Sequence, residues 1–306
     1  MQSREIVFYV ESLRRGKKLT INELIQDIVS LRQFKRYLYG ESNIPTDVLF
    51  KLCRRLNIEP ITAIKNYDKS LKEENFMINT LHKHIVSKRF KEAENTIKHL
   101  RSSSFYSERN SNYFGICNSL YMHQVENLSD SRYIELISKE ISYPELLKSD
   151  VIDLVEAFGL VSIVKITKNN EEKQKIMMFL LEKISLKGSL IEGDSSYIYP
   201  YVIISLAKEF GKSEDVENVI SLCNIGINNQ KSNNSSYGLS QLHYYASLAN
   251  NSINDISMRN HHIAACYYSL KLNENDKNKI ERLTNVIKKD YGNDILVKVI
   301  MSELSN

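Results

Sequence analysis

The stretch Leu19-Thr20-Ile21-Asn22-Glu23-Leu24 decides how the N-terminal part of this 306-residue chain folds. Thr20 can cap the first turn of a helix with its hydroxyl, and Glu23, three residues later, can bond back to the backbone N–H of Thr20. Leu24 and Ile28 supply the apolar face that such a helix would bury. The stretch therefore predicts a short helix with a capping box at its start.

Further short helices are predicted on both sides of this one. Upstream, apolar residues at helical spacing mark a helix that stops near Gly16, namely Ile6, Val10 and Leu13. Downstream, Ser30 and Gly40 are suited to begin and end a third helix, and Pro45 opens a fourth that Asn57 ends. The side chains expected in their core are Phe34, either Tyr37 or Leu38, Val48, Leu49, Leu52, Cys53 and Leu56. The first sixty residues thus predict a compact helical domain.

The net charge of the chain is concentrated in this domain. Residues 1–60 contain eleven Lys and Arg and seven Asp and Glu, which gives 11 − 7 = +4, the net charge of the whole chain. The remaining residues are therefore neutral overall. A basic segment on a neutral body indicates that the basic part binds a polyanion.

The order of these signals resembles the lambda-repressor-like (Cro-type, or XRE) helix-turn-helix family. The resemblance covers residues 5–62 and rests on Leu19-Thr20-x-x-Glu23-Leu24, Val29-Ser30, Gly40-Glu41, Pro45 and Leu49-x-x-Leu52-x-x-x-Leu56-Asn57-Ile58. The sequence departs from the family's pattern in the turn Asp27–Ser30, which has no glycine, and in Leu31-Arg32-Gln33, which replaces a Ser/Thr-rich helix start. The resemblance implies that the third helix lies in the major groove of double-stranded DNA.

If Phe34 is buried, the other faces of the third helix carry side chains that suit DNA. Arginine can bind O6 and N7 of guanine, and glutamine can bind N6 and N7 of adenine. The residues expected to contact DNA are Arg32, Gln33, Lys35, Arg36, Tyr39, Lys17 and Lys18. Arg32, Gln33 and Arg36 are assigned to bases or adjacent phosphates, and the others mainly to the DNA backbone. The alternative is that these charges form only the solvated face of a short helix.

The rest of the chain predicts one helix after another, because the whole sequence has only ten Gly and four Pro. Lys88-Arg89-Phe90-Lys91-Glu92-Ala93 resembles the turn and second-helix start of a tetratricopeptide (TPR) unit, and later helical hairpins recur at about 40 residues. The Asn/Ser-rich run 228–236 predicts a loop between helices. The predicted class is all-α, with a helix-turn-helix domain over 1–66 and a TPR-like helical-repeat solenoid over 67–306.

A basic helix-turn-helix domain on such a body resembles the Rgg/PlcR group of peptide-pheromone regulators. The resemblance implies a cytoplasmic homodimer that binds a palindromic or repeated DNA site. It also implies quorum sensing, through a short signalling peptide in the concave face of the repeat domain. The side chains expected to bind that peptide are Tyr197, Tyr201, Gln241, His243, Tyr244, Tyr245 and Glu156. For any single tyrosine at helical spacing, a place in the core is the more common outcome.

The sequence contains no signal of catalysis, of a metal site or of a cofactor. It has no Gly-rich phosphate loop and no His-Glu-x-x-His, Gly-x-Ser-x-Gly or Cys-x-x-Cys motif. Its four cysteines are far apart, which is typical of reduced thiols in a cytoplasmic protein. No apolar stretch reaches the length of a transmembrane helix. We therefore expect a non-enzymatic protein without cofactors that does not enter a membrane.

Three functions remain open at this point. The chain is a peptide-gated transcription regulator, a constitutive repressor or mobile-element regulator whose body only dimerises and contacts proteins, or a scaffold whose first domain no longer binds DNA. An apolar stripe on the C-terminal helices predicts either a dimer interface or a cap on the solenoid. Its residues are Leu283, Val286, Ile287, Ile295, Leu296, Val299 and Ile300.

Overall fold

A computed structural model of the chain describes residues 3–102, 105–186, 188–191, 197–273 and 277–304. These residues form sixteen α-helices, one 3₁₀ helix and two very short strands, so the predicted all-α class is confirmed. They divide into two compact units, residues 1–128 and 129–306. The boundary at residue 66 stays a prediction, since one long helix runs through that position. No helix in the described ranges is long and apolar enough to cross a membrane.

The first unit contains the predicted helix-turn-helix domain and the first helical hairpin. Its helices are α1 (Ser3–Gly16), α2 (Ile21–Ile25), α3 (Leu31–Leu38), α4 (Thr46–Arg55), α5 (Pro60–Val86), α6 (Phe90–Arg101) and α7 (Glu108–Val125). We call helices α1 to α4 the head. Helix α5 packs on α1 and α4 of the head and also on α6 and α7.

In the second unit most helices pack on the next along the chain, as in stacked hairpins, and α9 packs on both α10 and α11. They are α8 (Asp130–Glu140), α9 (Leu154–Ile166), α10 (Asn170–Ser185), α11 (Ile198–Lys212), α12 (Val216–Ser232), α13 (Leu239–Ser252), α14 (Ile256–Asn273), α15 (Lys277–Tyr291) and α16 (Ile295–Leu304). A 3₁₀ helix spans Glu145–Lys148. Strands β1 (Ile152–Asp153) and β2 (Leu190–Ile191) pair in parallel, with Ile152 opposite Leu190. The sequence did not predict this pair, because two-residue strands leave no periodic pattern.

The capping box predicted at the start of α2 is confirmed. The backbone N–H of Thr20 donates to Oε2 of Glu23 at 2.6 Å, and the backbone N–H of Glu23 donates to Oγ1 of Thr20 at 3.2 Å. Ser30 caps α3 in the same manner, since its Oγ accepts from the backbone N–H of Gln33 at 3.2 Å. Both helices of the helix-turn-helix pair, α2 and α3, therefore begin where the sequence predicts.

The turn between α2 and α3 is built without glycine. Asp27 adopts the left-handed conformation, with φ +58°, and aspartate tolerates this region better than most residues. From α4, the guanidinium of Arg55 donates to the carbonyl oxygens of Glu23 and Gln26, each at 3.0 Å. Arg55 thus satisfies carbonyl groups at the end of α2, which the five-residue helix cannot satisfy itself.

The core of the head contains the side chains that the sequence predicted. The buried ones are Ile6, Val10, Leu24, Phe34, Tyr37, Leu49, Leu52, Cys53 and Leu56. Between the two alternatives in α3, Tyr37 is the buried residue and Leu38 is only partly buried. Leu13, Ile28 and Val48 pack against this core at its edge. The buried Phe34 leaves the opposite face of α3 to solvent.

The predicted loop at 228–236 is wrong in its first half. Helix α12 continues to Ser232, because Ile227 and Gln230 are buried and extend its packed face. Nε2 of Gln230 also donates to the carbonyl oxygen of Tyr237 at 3.0 Å, which draws the following turn onto the helix. Asn228 and Asn229 therefore lie within the helix, and Asn233 is its C-cap.

The apolar stripe of the C-terminal helices caps the second unit. Ile287, Leu296 and Val299 are buried in a cluster that includes residues of α14, and Leu283, Ile295 and Ile300 pack against it. Val286 is partly buried. Among the residues of α16 whose burial is described, 295–301, Val297 and Met301 are exposed apolar residues, and they lie outside the predicted stripe. Of the two alternatives for this stripe, the structure therefore favours the cap.

Gly238, before α13, is a position where both the backbone conformation and the packing favour glycine. Its φ is +79°, and a Cβ there would lie 2.8 Å from Cδ1 of Ile204 and 3.3 Å from Cβ of Pro200. We expect Gly238→Ala to destabilise the protein by about 2–4 kcal/mol, because backbone strain and overpacking add. Gly292 is the matched control, since its φ is +96° and no described atom lies within 4 Å of a Cβ there.

Urea denaturation of the full chain measures both changes. Gly292→Ala should cost only the strain, about 1–2 kcal/mol. Equal losses for the two variants would contradict the packing that the structure gives to Gly238.

Candidate DNA-binding and peptide-binding surfaces

The solvent face of α3 carries the residues that the sequence assigned to DNA. Arg32, Lys35 and Arg36 are exposed, Gln33 is half-buried, and Tyr39 is 64% exposed. They share this face because Phe34 and Tyr37 turn the opposite side of the helix into the core. The structure therefore brings these five predicted residues together on one short helix and its C-cap.

The residues of this face differ in whether their side chains already have partners within the protein. Nε2 of Gln33 donates to Oγ of Ser42 at 3.0 Å, and Arg36 lies 3.7 Å from the carboxylate of Glu41. Among the described residues, Arg32 and Lys35 have no hydrogen-bond or ion-pair partner for their side chains. Arg32 and Lys35 are thus the cations of α3 that are free to bind another molecule.

Two other arginines of the head serve the fold. Burial alone would raise the pKa of Glu11, but hydrogen bonds from Arg14 and Arg15 bring it below its usual value. Nε of Arg14 and Nε of Arg15 lie 2.8 Å and 2.9 Å from the Glu11 carboxylate. Arg14 also donates to the carbonyl oxygen of Leu19, which fixes the segment between α1 and α2.

The same segment exposes the two predicted phosphate-binding lysines. Lys17 and Lys18 are both exposed, and Lys18 adopts a left-handed conformation with φ +57°. Neither ammonium group has a partner among the described residues. The segment that Arg14 anchors therefore presents two cations immediately before the capped start of α2.

In the second unit, helices α9, α11 and α13 form a row, since α9 packs on α11 and α11 on α13. Of the predicted peptide-binding residues on this row, Gln241 is exposed and four are half-buried, namely Glu156, Tyr201, Tyr244 and Tyr245. Tyr197 and His243 are buried, at 4% and 7% exposure. Tyr197 is thus a core residue, and its ring lies 4.8 Å from the ring of Tyr237.

Several of the accessible residues already have partners within the protein, and those of Glu156 and Tyr244 stabilise the fold. Oε2 of Glu156 accepts from the backbone N–H of Asp153 at 2.7 Å and completes a capping box at the start of α9. The hydroxyl of Tyr244 donates to Oδ2 of Asp290 at 2.5 Å. Of the other three, Gln241 is exposed, and Tyr201 and Tyr245 are half-buried.

The structure adds Lys165 to this surface. Its ammonium donates to the hydroxyl of Tyr201 at 2.6 Å and lies 4.2 Å from the centre of the Tyr201 ring. The residue as a whole is exposed, but loss of hydration around the ammonium lowers its pKa to about 8. Sequence reasoning missed Lys165, because a single lysine at the end of an apolar helix carries no pattern.

The charge of a buried carboxylate, that of Glu209, acts on Lys165. Glu209 is 3% exposed and accepts from Nζ of Lys173 and Nζ of Lys212, each at 2.7 Å. Burial would raise the pKa of Glu209, yet these two lysines bring it below its usual value. Because Glu209 is already bound by two cations, Lys165 remains able to bind a carboxylate or carbonyl oxygen of a ligand.

No sequence profile of a known family matches this chain, and no curated protein matches it. PlcR from Bacillus thuringiensis, solved with the peptide PapR7 and DNA, is similar at 13% identity and a TM-score of 0.55, over 93% of this chain and 99% of that chain. Apo ComR from Streptococcus vestibularis is similar at 13% identity and a TM-score of 0.53, over 95% and 99%. The chain has the fold of PlcR and ComR.

This likeness confirms the predicted resemblance to the Rgg/PlcR group as a likeness of fold. PlcR without ligands is equally similar, at 16% identity and a TM-score of 0.55, over 90% of this chain and 98% of that chain. The fold thus extends from the head through the repeat helices and is not confined to the helix-turn-helix segment. The predicted site residues remain predictions, because so low an identity carries over no individual side chain.

A pair of buried histidines joins α13 to α14. Nδ1 of His243 lies 3.0 Å from Nδ1 of His262, so one ring donates to the other. Burial lowers the pKa of His243 to about 3 and that of His262 to about 4, and the nearby imidazoles add to the effect. Both rings are therefore neutral in the folded protein at physiological pH. His243 thus holds two helices together, which is a different role from the predicted peptide contact.

The histidine pair predicts an acid-sensitive fold. Because the folded-state pKa values lie below the unfolded value of about 6.5, the unfolded chain takes up more protons as the pH falls. Stability is complete above pH 6.5 and declines toward pH 3–4. The expected loss at pH 5 is roughly 2 kcal/mol for each histidine.

Urea denaturation at pH 7 and pH 5 tests this expectation. His243→Gln should remove about half of the difference between the two pH values, whereas His261→Gln, at an exposed neighbouring position, should retain most of it. A wild-type protein as stable at pH 5 as at pH 7 would rule out the neutral pair.

Proposed function

We propose that this chain is a cytoplasmic, sequence-specific DNA-binding transcription regulator that a short signalling peptide controls. The observation that carries the proposal is the exposed face of α3, where Arg32 and Lys35 have no partner among the described residues. The fold shared with PlcR and ComR supports it, since PlcR is known in complex with DNA and PapR7. A ComR structure likewise contains a cognate signalling peptide, XIP.

The head is the DNA-binding domain in this proposal, with residues 1–66 as its extent. Helix α3 enters the major groove, where Arg32 binds a base edge and Lys35 and Tyr39 hold the backbone. Lys17 and Lys18 bind phosphates from the adjacent segment. Gln33 and Arg36 contact the DNA once they release their present partners, Ser42 and Glu41 respectively.

The repeat domain, residues 67–306, receives the peptide. We assign binding to the row α9, α11 and α13, where Tyr201, Tyr245 and Gln241 offer polar and aromatic groups and Lys165 offers a cation. A bound peptide needs partners for its backbone amides, and these side chains can supply them. The regulator acts as a homodimer on a palindromic or repeated site, since two heads match two half-sites.

The DNA contacts are tested by Arg32→Ala and Lys18→Ala. Arg32→Ala should cost about 1–3 kcal/mol on the specific site and relax the choice at one base pair, because Arg32 reads a base. Lys18→Ala should weaken all DNA sequences alike, because it binds a phosphate. Arg132→Ala, an exposed arginine of α8, is the control.

Electrophoretic mobility shift with specific and scrambled DNA at several salt concentrations measures these effects. Affinity should fall steeply as salt rises, since neutralised phosphates release counterions. Binding that is insensitive to salt, with both head variants equal to wild type, would favour the scaffold function.

Peptide control is tested with a pool of short hydrophobic peptides and the full chain. A peptide at 100 times its Kd stabilises the folded protein by about 2.7 kcal/mol, which raises the unfolding temperature. We expect the pool to raise that temperature and to change DNA affinity, and Lys165→Gln to reduce both effects. Lys175→Gln, an exposed lysine of α10, should not. Unchanged stability and affinity across the pool would favour the constitutive repressor.

A further inference from the structure

A cavity of about 500 Å³ lies within the first unit, between α1 of the head and the helical hairpin that follows. Helix α1 contributes Phe8 to its wall, α5 contributes Glu74 and Met77, and the segment before α7 contributes Phe105 and Tyr106. Small-molecule sites commonly have volumes of about 300–1,000 Å³. The cavity shares no residue with the proposed DNA-binding and peptide-binding surfaces.

Glu74 is the unusual residue of this wall. Its Oε1 accepts from the backbone N–H of Tyr106 at 2.9 Å, and its Oε2 accepts from Nδ2 of Asn110 at 2.9 Å. Among the described residues, no lysine, arginine or histidine lies within ion-pair distance of it. Burial raises the pKa of Glu74, and the nearby Glu5 carboxylate adds to the rise. A half-buried carboxylate with neutral partners gains from any cation that can reach it.

The other carboxylates of the wall are already paired. Glu11 is bound by Arg14 and Arg15, and Glu73 lies 3.7 Å from the ammonium of Lys69. Arg15 also lines the wall and is itself bound to Glu11, so Glu74 is the carboxylate of the wall that has no cation within ion-pair distance among the described residues.

Aromatic side chains line the same cavity as this carboxylate, namely Phe8, Phe105 and Tyr106. The ring of Tyr106 lies 6.2 Å from that of Phe8, and the ring of Phe105 lies 5.3 Å from that of Phe114. Aromatic faces attract organic cations, and the attraction grows as the cation loses water. A carboxylate and aromatic rings in one cavity suit an ammonium group on an apolar body.

We propose that this cavity binds a small organic amine, with the ammonium paired to Glu74 and the apolar body against Phe8, Phe105 and Tyr106. The site is additional to the DNA and peptide partners and does not depend on them. Tyr106 connects its two sides, since its hydroxyl lies 3.3 Å from Oγ of Ser12 in α1 while its backbone binds Glu74. A bound amine therefore contacts the head and the first hairpin at once and ties them together.

The test uses 2-phenylethylamine as the probe and the full chain as the receptor. Its neutral isostere 2-phenylethanol and the anion 3-phenylpropionate are the ligand controls, with calorimetry and the unfolding temperature as readouts. We expect saturable binding of the amine at least tenfold tighter than of the alcohol, and no binding of the anion. An amine that binds no tighter than the alcohol overturns the proposal.

Variants locate the binding in the cavity. Glu74→Gln should lower the affinity for the amine to that of the alcohol, whereas Glu92→Gln, an exposed glutamate of α6, should leave it unchanged. Ser70→Leu fills part of the cavity and keeps Glu74, so it should block the amine even where Glu74→Gln folds poorly. Wild-type affinity in both Glu74→Gln and Ser70→Leu would overturn the proposal. Arg32→Ala should bind the amine normally, so this site and the DNA-binding function fail independently.

Discussion

The whole arrangement of the head depends on satisfying the ends of one very short helix. Helix α2 has five residues, whereas isolated helices shorter than about 12–15 residues are marginal in water. Its N-terminus is closed by the capping box of Thr20 and Glu23, and carbonyl groups at its C-terminus accept from Arg55 of α4. Because α3 follows directly from this end, the orientation of α3 and of its exposed basic face depends on the same few bonds. A basic surface can bind a defined site only when the helix that carries it has a fixed orientation.

The positive charge of the head therefore has two separate uses. Arg14, Arg15 and Arg55 bind carboxylate or carbonyl oxygens of the protein itself and build the scaffold. Arg32 and Lys35 have no such partner and remain for another molecule. A sum over the sequence counts all five alike, so a net charge of +4 indicates a polyanion partner without locating its surface. Only the distances between charged atoms separate the two groups.

Features that depend on neighbours in the chain could be predicted from the sequence, and features that depend on distant residues could not. The caps at Thr20 and Ser30 and the ends of α1, α3 and α4 are local, and they were predicted correctly. Burial of His243 depends on His262 of the next helix, and the extension of α12 depends on Gln230 packing inside the unit. The burial of most candidate peptide-binding residues could not be predicted for the same reason, because tyrosine suits a core and a groove equally well.

The remaining candidate binding surfaces can be recognised by charged side chains that the fold leaves without a counter-charge. Tyr244 is bound by Asp290 and Glu156 caps α9, so any ligand would have to displace contacts that already stabilise the protein. Arg32 and Glu74 differ from them, because neither is in an ion pair among the described residues. Leaving a charge without a counter-charge lowers stability, and burial increases the loss. Such a group is best explained when a ligand supplies the missing charge, as DNA phosphates would for Arg32.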